Sequence, residues 1–276
     1  FDPGTTEISL PAQTKVENGT TITITKTWTQ DGGSVTYTYP ISVRVPTIPA
    51  LLQKRCPVAI LLHGSGGNGA NEITEWQNTL GDHILIAPTG YNNAWNVASE
   101  TSKAPDIEFL QDLVTQLKTF VNVDTTKIRL VGYSNGAALA NRAFVQMDDT
   151  SIDSVVSIAA QYFDPQLRNG TFYFPSGVTG TTTVEYNTSK EPYSPRKYIS
   201  IHGTADSVIP YTGGSHAFGY SFVDAQESAF QVAKTQGYIG GKILMLLVCI
   251  MDLQVSTIIH IKVVLLYIIK QLTIMD

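Results

Sequence analysis

The five residues 132–136, Gly-Tyr-Ser-Asn-Gly, form the pattern in this chain with the clearest chemistry. They follow an apolar run and precede an alanine-rich stretch, which is the strand–turn–helix setting of a serine nucleophile. Both glycines are needed because a side chain there would collide with the neighbouring strand or helix. The turn would hold the Ser134 hydroxyl over a helix N-terminus, whose dipole favours developing negative charge. Ser134 is therefore the candidate nucleophile, and a solvated serine in a glycine-rich turn is the alternative.

A glycine-rich segment at residues 63–69, His-Gly-Ser-Gly-Gly-Asn-Gly, directly follows another apolar run. Acyl transfer passes through a tetrahedral intermediate whose oxygen needs two N–H donors. We expect these donors to be the backbone amides of Asn135 and Ser65. A phosphate-binding loop is disfavoured because no Gly-Lys-Ser/Thr follows the glycines. His63 is expected to be structural.

A third segment, Ile-His-Gly-Thr-Ala-Asp at residues 201–206, ends a late apolar run. An aspartate in this place, downstream of the serine, could accept the Nδ1–H of a catalytic histidine and hold its productive tautomer. Asp206 is the candidate for that role. The alternative is an aspartate that caps the following turn.

The elements that would position these segments are short apolar runs separated by helical patterns. Runs of this kind suit strands buried on both faces of a parallel sheet, and strand–helix alternation predicts right-handed crossovers. Helices are expected to begin at Asp106 and at Ser134. The five runs are Val58–Leu62, Ile84–Ala87, Ile128–Val131, Val155–Ala159 and Tyr198–Ile201.

The flanking regions have other patterns. Alternating polar and apolar residues on either side of Asp31-Gly32-Gly33 predict an N-terminal hairpin over about residues 20–46. Residues 168–195, rich in Thr, Gly, Ser and Tyr, predict a long loop or a small insertion.

Taken together, the segments resemble the α/β-hydrolase esterases of the polyhydroxybutyrate depolymerase and feruloyl esterase group. Further matches are Ile-Ala-Pro-Thr-Gly at 86–90, Trp95-Asn96, and Ala-Pro-Asp at 104–106; the resemblance runs from about Thr20 to Gly241. It implies an α/β-hydrolase fold with a mostly parallel central sheet and an antiparallel N-terminal hairpin. It also implies a secreted serine carboxylesterase that needs no cofactor or metal. Feruloyl-sugar esters, polyhydroxyalkanoates and small acyl esters are the implied substrates.

The chain departs from that group at the catalytic histidine, which the group carries in a Gly-Gly-His type turn some sixty residues beyond the aspartate. Residues 263–276 contain no histidine. His260, within Ile-Ile-His-Ile-Lys, and His216, within Gly-Gly-Ser-His, are the two candidates left for the base. The remaining alternative is that this chain lacks the base.

Residues 242–276 differ in composition from residues 1–241, which are assigned to the hydrolase domain. They contain neither Gly nor Pro, and Ile, Leu, Val and Met occupy 22 of the 35 positions. Charged and polar residues interrupt every apolar run before the roughly 18–20 residues that a membrane span needs. We expect an atypical tail that arose by a reading-frame change or truncation, with a buried strand pair as the alternative.

The overall composition limits the partners. The chain has 18 Lys and Arg against 23 Asp and Glu, a net charge of −5, with no basic run. Nucleic acid and anionic membranes are therefore disfavoured. The two cysteines, Cys56 and Cys249, are too few for a disulfide scaffold, and no Cys/His cluster has metal-ligand spacing. The sequons at Asn18, Asn169 and Asn187 would permit glycosylation of a secreted protein.

Two hypotheses follow. The first is a secreted serine esterase with an altered C-terminus, which would be nearly inactive as written if no base takes the Ser134 proton. The second is a catalytically dead α/β-hydrolase that binds carbohydrate or a protein. The oligomeric state is left open.

Overall fold

The computed structural model describes residues 14–47, 55–98, 100–175, 185–215 and 221–242. His216, Cys249 and His260 lie outside these residues, as does the predicted tail beyond Lys242. Within the described ranges, no helix is both long enough and apolar enough to cross a bilayer. The same ranges contain no group of three side chains suited to hold a metal ion.

The described elements alternate between strands and α-helices from Cys56 to Ile158, and strands predominate on either side. The strands are β1 (Thr25–Gln30), β2 (Gly33–Thr38), β3 (Ile41–Arg44), β4 (Cys56–Leu62), β5 (Ile84–Pro88), β6 (Val123–Tyr133), β7 (Ile152–Ile158), β8 (Leu167–Arg168), β9 (Thr171–Pro175), β10 (Tyr186–Ser189), β11 (Lys197–Ile201), β12 (Gly214–Ser215) and β13 (Ser221–Phe222). The helices are α1 (Gly69–Trp76), α2 (Asp106–Leu117), α3 (Asn135–Gln146) and α4 (Ala225–Thr235).

Six strands form the central sheet, in the order β11-β7-β6-β4-β5-β3. All pairs are parallel except that of β3 with β5, which is antiparallel at the edge. All five apolar runs of the sequence form parallel strands, so that prediction is confirmed, although Ala159 at the end of the fourth run lies just beyond β7. β6 extends beyond its predicted run because its first half, Val123–Lys127, mixes polar and apolar residues and is only partly buried.

The sheet order changes direction between β4 and β6. The chain leaves β4 toward β5 on one side and leaves β6 toward β7 on the other, so the loops after these adjacent strands diverge. A crevice forms at such a switch point, at the carboxyl ends of the strands. Residues 63–69 and the turn at Ser134 follow β4 and β6 and therefore meet at this crevice.

Two buried clusters cover the faces of the sheet. The larger one packs α2 and α3 with the N-terminal hairpin against one face, and the smaller one packs residues from α1 against the other. Apolar residues at helical spacing on α2 make this possible, with Ile107, Leu110, Leu113 and Val114 all buried. α3 begins at Asn135, one residue after the predicted start, because Ser134 takes the N-cap position.

The predicted N-terminal hairpin is present as β1 and β2, but it is shorter than expected. Asp31 and Gly32 form the turn with φ of 52° and 77°, the positive values that a two-residue hairpin loop requires. β3 does not extend this ribbon; it adds to the central sheet instead. Trp28 of β1 is buried and contacts Tyr91 edge-on, with ring centroids 5.0 Å apart, so the hairpin packs beside the loop after β5.

Residues 168–195 were predicted as a long loop or a small insertion, and the described part of this segment is an insertion. β8, β9 and β10 form a separate antiparallel sheet. Arg168 donates from Nη2 to the Tyr186 carbonyl oxygen at 2.8 Å and lies over the Tyr173 ring at 3.8 Å, which holds the small sheet together. This central sheet with its antiparallel edge and N-terminal hairpin is the α/β-hydrolase fold that the sequence predicted.

Asp106, the first residue of α2, is buried beneath the loop that leads to it. Its Oδ1 accepts a hydrogen bond from the Tyr39 hydroxyl at 2.8 Å, and its Oδ2 accepts one from the backbone N–H of Asn96 at 2.7 Å. Burial raises the pKa of this carboxyl to about 7, although these two hydrogen bonds and Arg142 act in the opposite direction. The folded protein therefore holds a proton at Asp106 over a pH range in which the unfolded chain has released it.

This difference predicts that the free energy of unfolding falls as pH rises. An unfolded aspartate titrates near 3.9, so between pH ~4 and ~7 the native state binds more protons than the unfolded state, and the total loss is about 4 kcal/mol. Urea unfolding at intervals from pH 5 to 8 measures the slope. Asp106→Asn removes the titration and should give a flatter profile over that range. Parallel profiles for the two proteins would contradict the assignment.

Candidate active site

Ser134 occupies a strained turn between β6 and α3. Its φ of 51° and ψ of −118° lie outside the regions that residues other than glycine normally adopt. Two backbone hydrogen bonds hold the turn: the Ser134 amide donates to the Ile158 carbonyl at 2.8 Å, and the Ala138 amide donates to the Ser134 carbonyl at 2.9 Å. The predicted serine elbow is present in the structure with the expected strand and helix on either side.

The two glycines of the motif permit close backbone contacts. A Cβ on Gly132 would overlap the backbone of Gly136, at the start of α3. A Cβ on Gly136 would overlap the carbonyl groups of Leu62 and His63, at the end of β4. The first turn of α3 therefore rests directly on the end of the adjacent strand, which is the steric reason that the sequence suggested for both glycines.

The loop after β4 lies beside the serine. A Cβ on Gly64 would meet the Tyr133 ring at 3.0 Å and the Ser134 Cβ at 3.5 Å, so the Gly64 backbone is in contact with the elbow. Ser65 follows it and lines the same cavity as Ser134 and Asn135. The structure thus brings three of the predicted site residues together: the candidate nucleophile and both candidate oxyanion donors.

His63 is fixed by both of its ring nitrogens. Nδ1 lies 2.7 Å from the Gly64 carbonyl oxygen, and Nε2 accepts from the Gly90 amide at 3.0 Å. Because Nε2 is an acceptor, the ring is neutral and carries its proton on Nδ1. Burial also lowers the pKa of His63. Trp95 packs on this ring with centroids 4.8 Å apart and donates from Nε1 to the His63 carbonyl at 2.9 Å. His63 therefore orders the loops around the site.

The cavity at Ser134 has a volume of about 360 Å³. Its wall is mainly apolar, with a small number of polar groups, which is the usual composition of a pocket for a small organic molecule. The lining residues are Ser65, Ala94, Val97, Ala98, Glu100, Thr101, Ser134, Asn135, Ala138, Ala160, Gln161, Phe163, Val208, Ile209 and Phe222.

Asn135 and Glu100 form a polar clamp in this wall. Asn135 Oδ1 accepts from the Trp95 amide at 2.7 Å, and its Nδ2 donates to the Trp95 carbonyl and to Glu100 Oε1, both at 3.1 Å. Glu100 Oε2 accepts from the amides of Val97 at 3.1 Å and Ala98 at 2.6 Å. As the first residue of α3, Asn135 also has a backbone N–H that the helix does not use. The clamp fixes the residue that carries this candidate donor.

The role of Glu100 was not predicted from the sequence. Its carboxylate accepts hydrogen bonds from the backbone amides two and three residues before it and from an asparagine 35 positions later. Only the first two contacts are local, and they indicate no more than a turn. The sequence signals in this loop came through the resemblance, from Trp95-Asn96 and Ala104-Pro105.

Asp206 lies in the loop after β11, where its carboxylate is largely occupied by local groups. Oδ1 accepts from the amides of Val208 and Ile209 at 2.8 and 2.9 Å, as in the turn-capping alternative. Oδ2 is 3.5 Å from His202 Nε2. Val208 and Ile209 reach the cavity wall, whereas Asp206 is not among the lining residues. The structure therefore places the candidate aspartate beside the cavity, with one carboxylate oxygen facing a histidine.

That histidine, His202, is buried in the same loop. Its Nε2 lies 2.8 Å from the Ile209 carbonyl oxygen, so the nitrogen that faces Asp206 also donates to the backbone. Burial lowers the pKa of His202, despite the opposite effects of the Ile209 hydrogen bond and of Asp206. The candidate bases from the sequence, His216 and His260, lie outside the described residues.

A methyl group at position 136 tests the contact between α3 and β4. Gly136→Ala should destabilise the fold by about 3 kcal/mol, because the added Cβ would overlap backbone atoms that cannot move aside as a side chain can. Gly33→Ala is the control: its Cβ would meet its nearest neighbour at 3.7 Å on the exposed hairpin, and we expect a change within about 0.5 kcal/mol. Urea unfolding gives both values. Equal stabilities would contradict the close contact.

Removing the negative charge of Glu100 tests how much the clamp contributes to the free energy of unfolding. Glu100→Gln turns one acceptor oxygen into a donor that faces other N–H groups, and we expect the free energy of unfolding to fall by about 2 kcal/mol. Asp148→Asn, which removes the exposed partner of Lys190, should cost less than about 1 kcal/mol. A Glu100 variant no less stable than this control would argue against the clamp.

No family model matches the chain. Among curated proteins, it is 28% identical over 181 residues to NocK of Nocardia uniformis subsp. tsuyamanensis, whose assignment as an esterase is provisional; the match covers 62% of this chain and 46% of that protein. It is 25% identical over 171 residues to feruloyl esterase B of Piromyces equi, covering 58% and 28%. The chain thus spans about half or less of the length of these curated relatives.

Solved structures also resemble this chain. The Bacillus cereus carboxylesterase aligns over 71% of this chain and 80% of its own, with a TM-score of 0.47 and 14% identity. The sheet order and the serine elbow of this chain are themselves sufficient to define its fold. The described part of the chain has the α/β-hydrolase fold, and the curated proteins to which it is similar are esterases.

Proposed function

We propose that this protein is a serine hydrolase of carboxylic esters and that Ser134 is its nucleophile. The observation that carries the proposal is the strained Ser134 turn at the switch point of the sheet, opening into a cavity that Ser65 and Asn135 also line. The similarity to esterases supports the same activity.

In the proposed reaction, Ser134 Oγ attacks the ester carbonyl carbon while a base takes its proton. The carbonyl oxygen becomes an oxyanion that accepts from the backbone amides of Asn135 and Ser65. Collapse of this intermediate expels the alcohol, which receives the proton from the base, and leaves an acyl group on Ser134. Water then attacks the acyl-enzyme by the same steps and releases the acid.

We assign the base to His260 and its orientation to Asp206. Asp206 would orient the base through Oδ2, because Oδ1 already accepts hydrogen bonds from two backbone amides. His216 is the alternative base. His202 is a weaker candidate, since its Nε2 donates to a backbone carbonyl and its low pKa reflects burial away from the cavity wall.

The size and polarity of the cavity support the substrate class that the resemblance implies. A largely apolar space of about 360 Å³ suits a small acyl or aromatic group, with the remainder of a larger ester outside. We propose feruloyl-sugar esters, polyhydroxyalkanoates or related small esters as substrates. Secretion is part of the same proposal, and the asparagines of all three sequons, Asn18, Asn169 and Asn187, are exposed.

The nucleophile is tested with a fluorophosphonate probe and with p-nitrophenyl acetate. The full chain should be labelled at Ser134, and Ser134→Ala should abolish labelling and reduce kcat/KM by at least about 10³-fold. Ser65→Ala is the matched control, because it removes a hydroxyl from the same cavity but keeps the backbone N–H. Labelling that persists in Ser134→Ala would refute the assignment.

The same assay separates the candidate bases. If the chain turns over ester, His260→Ala should reduce kcat about as severely as Ser134→Ala, whereas His216→Ala should not. A chain that binds esters but neither reacts with the probe nor turns over substrate would instead support the binding-module hypothesis.

A further inference from the structure

One buried polar atom of a cavity-lining residue has no hydrogen-bond partner among the described residues: the side-chain oxygen of Gln161. The residue follows β7 and is only 2% exposed. Its Nε2 donates to the Pro210 carbonyl at 2.7 Å. This hydrogen bond fixes the amide orientation, because exchanging the oxygen and nitrogen would set two acceptors against each other. Gln161 therefore combines a place in the cavity lining with a buried acceptor that has no donor among the described residues.

Four of the residues that line the cavity with Gln161 carry no side-chain donor: Ala160, Phe163, Ile209 and Phe222. A buried acceptor without a donor is unfavourable, and a donor brought in by a ligand removes that penalty. The other two amide or carboxylate groups among the lining residues, on Asn135 and Glu100, differ because their oxygens already accept hydrogen bonds.

We propose that Gln161 Oε1 accepts a hydrogen bond from a hydroxyl or N–H group of the bound ester, and that Gln161 thereby determines specificity. The inference rests on the proposed function to the extent that the Ser134 cavity binds the ester. It adds a requirement that an apolar cavity alone would not impose: an ester with a donor in reach of Gln161 binds more tightly than the same ester without it. A single neutral hydrogen bond corresponds to about a tenfold difference in Kd.

The test measures binding to the Ser134→Ala protein, so that the ester is not consumed. Two pairs of probes differ by one hydroxyl: methyl para-hydroxyphenylpropanoate with methyl phenylpropanoate, and ethyl beta-hydroxybutanoate with ethyl butanoate. Isothermal titration calorimetry should give a roughly tenfold preference for the hydroxylated member of at least one pair. Adding Gln161→Met, which keeps the side-chain length but removes the acceptor, should abolish this preference.

Gln166→Met is the matched control. Gln166 is also buried, but its Oε1 accepts from the Phe163 amide at 3.4 Å and its Nε2 donates to the Tyr186 hydroxyl at 3.3 Å, and it does not line the cavity. The preference should survive in this variant. Thermal unfolding of both variants verifies that each is folded at the assay temperature.

Three outcomes would overturn the inference: equal affinities within both pairs, a preference that survives in Gln161→Met, or no measurable binding of any probe. The proposed function is judged separately, by turnover of the same esters by the parent chain. A Gln161-dependent preference without turnover would count against the proposed function alone. Turnover without the preference would count against the role of Gln161 alone.

Discussion

The backbone contact between the first turn of α3 and the end of β4 is the constraint on which the site depends. Gly136 rests on the carbonyls of Leu62 and His63, and Gly132 makes room for Gly136. Because of this contact, the serine at the end of β6 and the glycine-rich loop after β4 meet at the switch point of the sheet. A bulkier residue at either position would separate the nucleophile from the amides proposed to stabilise its intermediate.

Buried hydrogen bonds hold the surrounding loops in place. His63, Trp95, Asn135 and Glu100 connect the loops after β4 and β5 with the start of α3 through side-chain hydrogen bonds, most of which involve a backbone group. Such contacts suit a site in which the position of an amide matters more than its identity. Asp106 lies beneath the same loops, where burial keeps a carboxyl near its titration midpoint at neutral pH. The stability of this region should therefore depend on pH even if the chemistry does not involve Asp106.

The cavity has a mainly apolar wall with few polar groups, and those groups differ in whether the protein already satisfies their hydrogen bonds. Both carboxylate oxygens of Glu100 accept hydrogen bonds from other residues of the chain. Gln161 Oε1, in contrast, has no donor among the described residues. This asymmetry separates groups that shape the site from a group that could select its substrate. Asp206 is intermediate between Glu100 and Gln161 in this respect, because its Oδ1 caps a turn and its Oδ2 faces His202.

The sequence by itself determined the parallel strands and the Ser134 elbow, because unbroken apolar runs and paired glycines are local signals of burial and close contact. It also placed the candidate donors Ser65 and Asn135 in the loop and the helix next to the serine, and both line the cavity with Ser134. The tertiary structure decided what local spacing does not encode. Glu100 meets Asn135, β3 joins the central sheet instead of the hairpin, and the Gln161 side chain bonds only to the Pro210 carbonyl among the described residues. Each depends on which segments the folded sheet brings together, and that is set by packing across many residues rather than by neighbouring sequence.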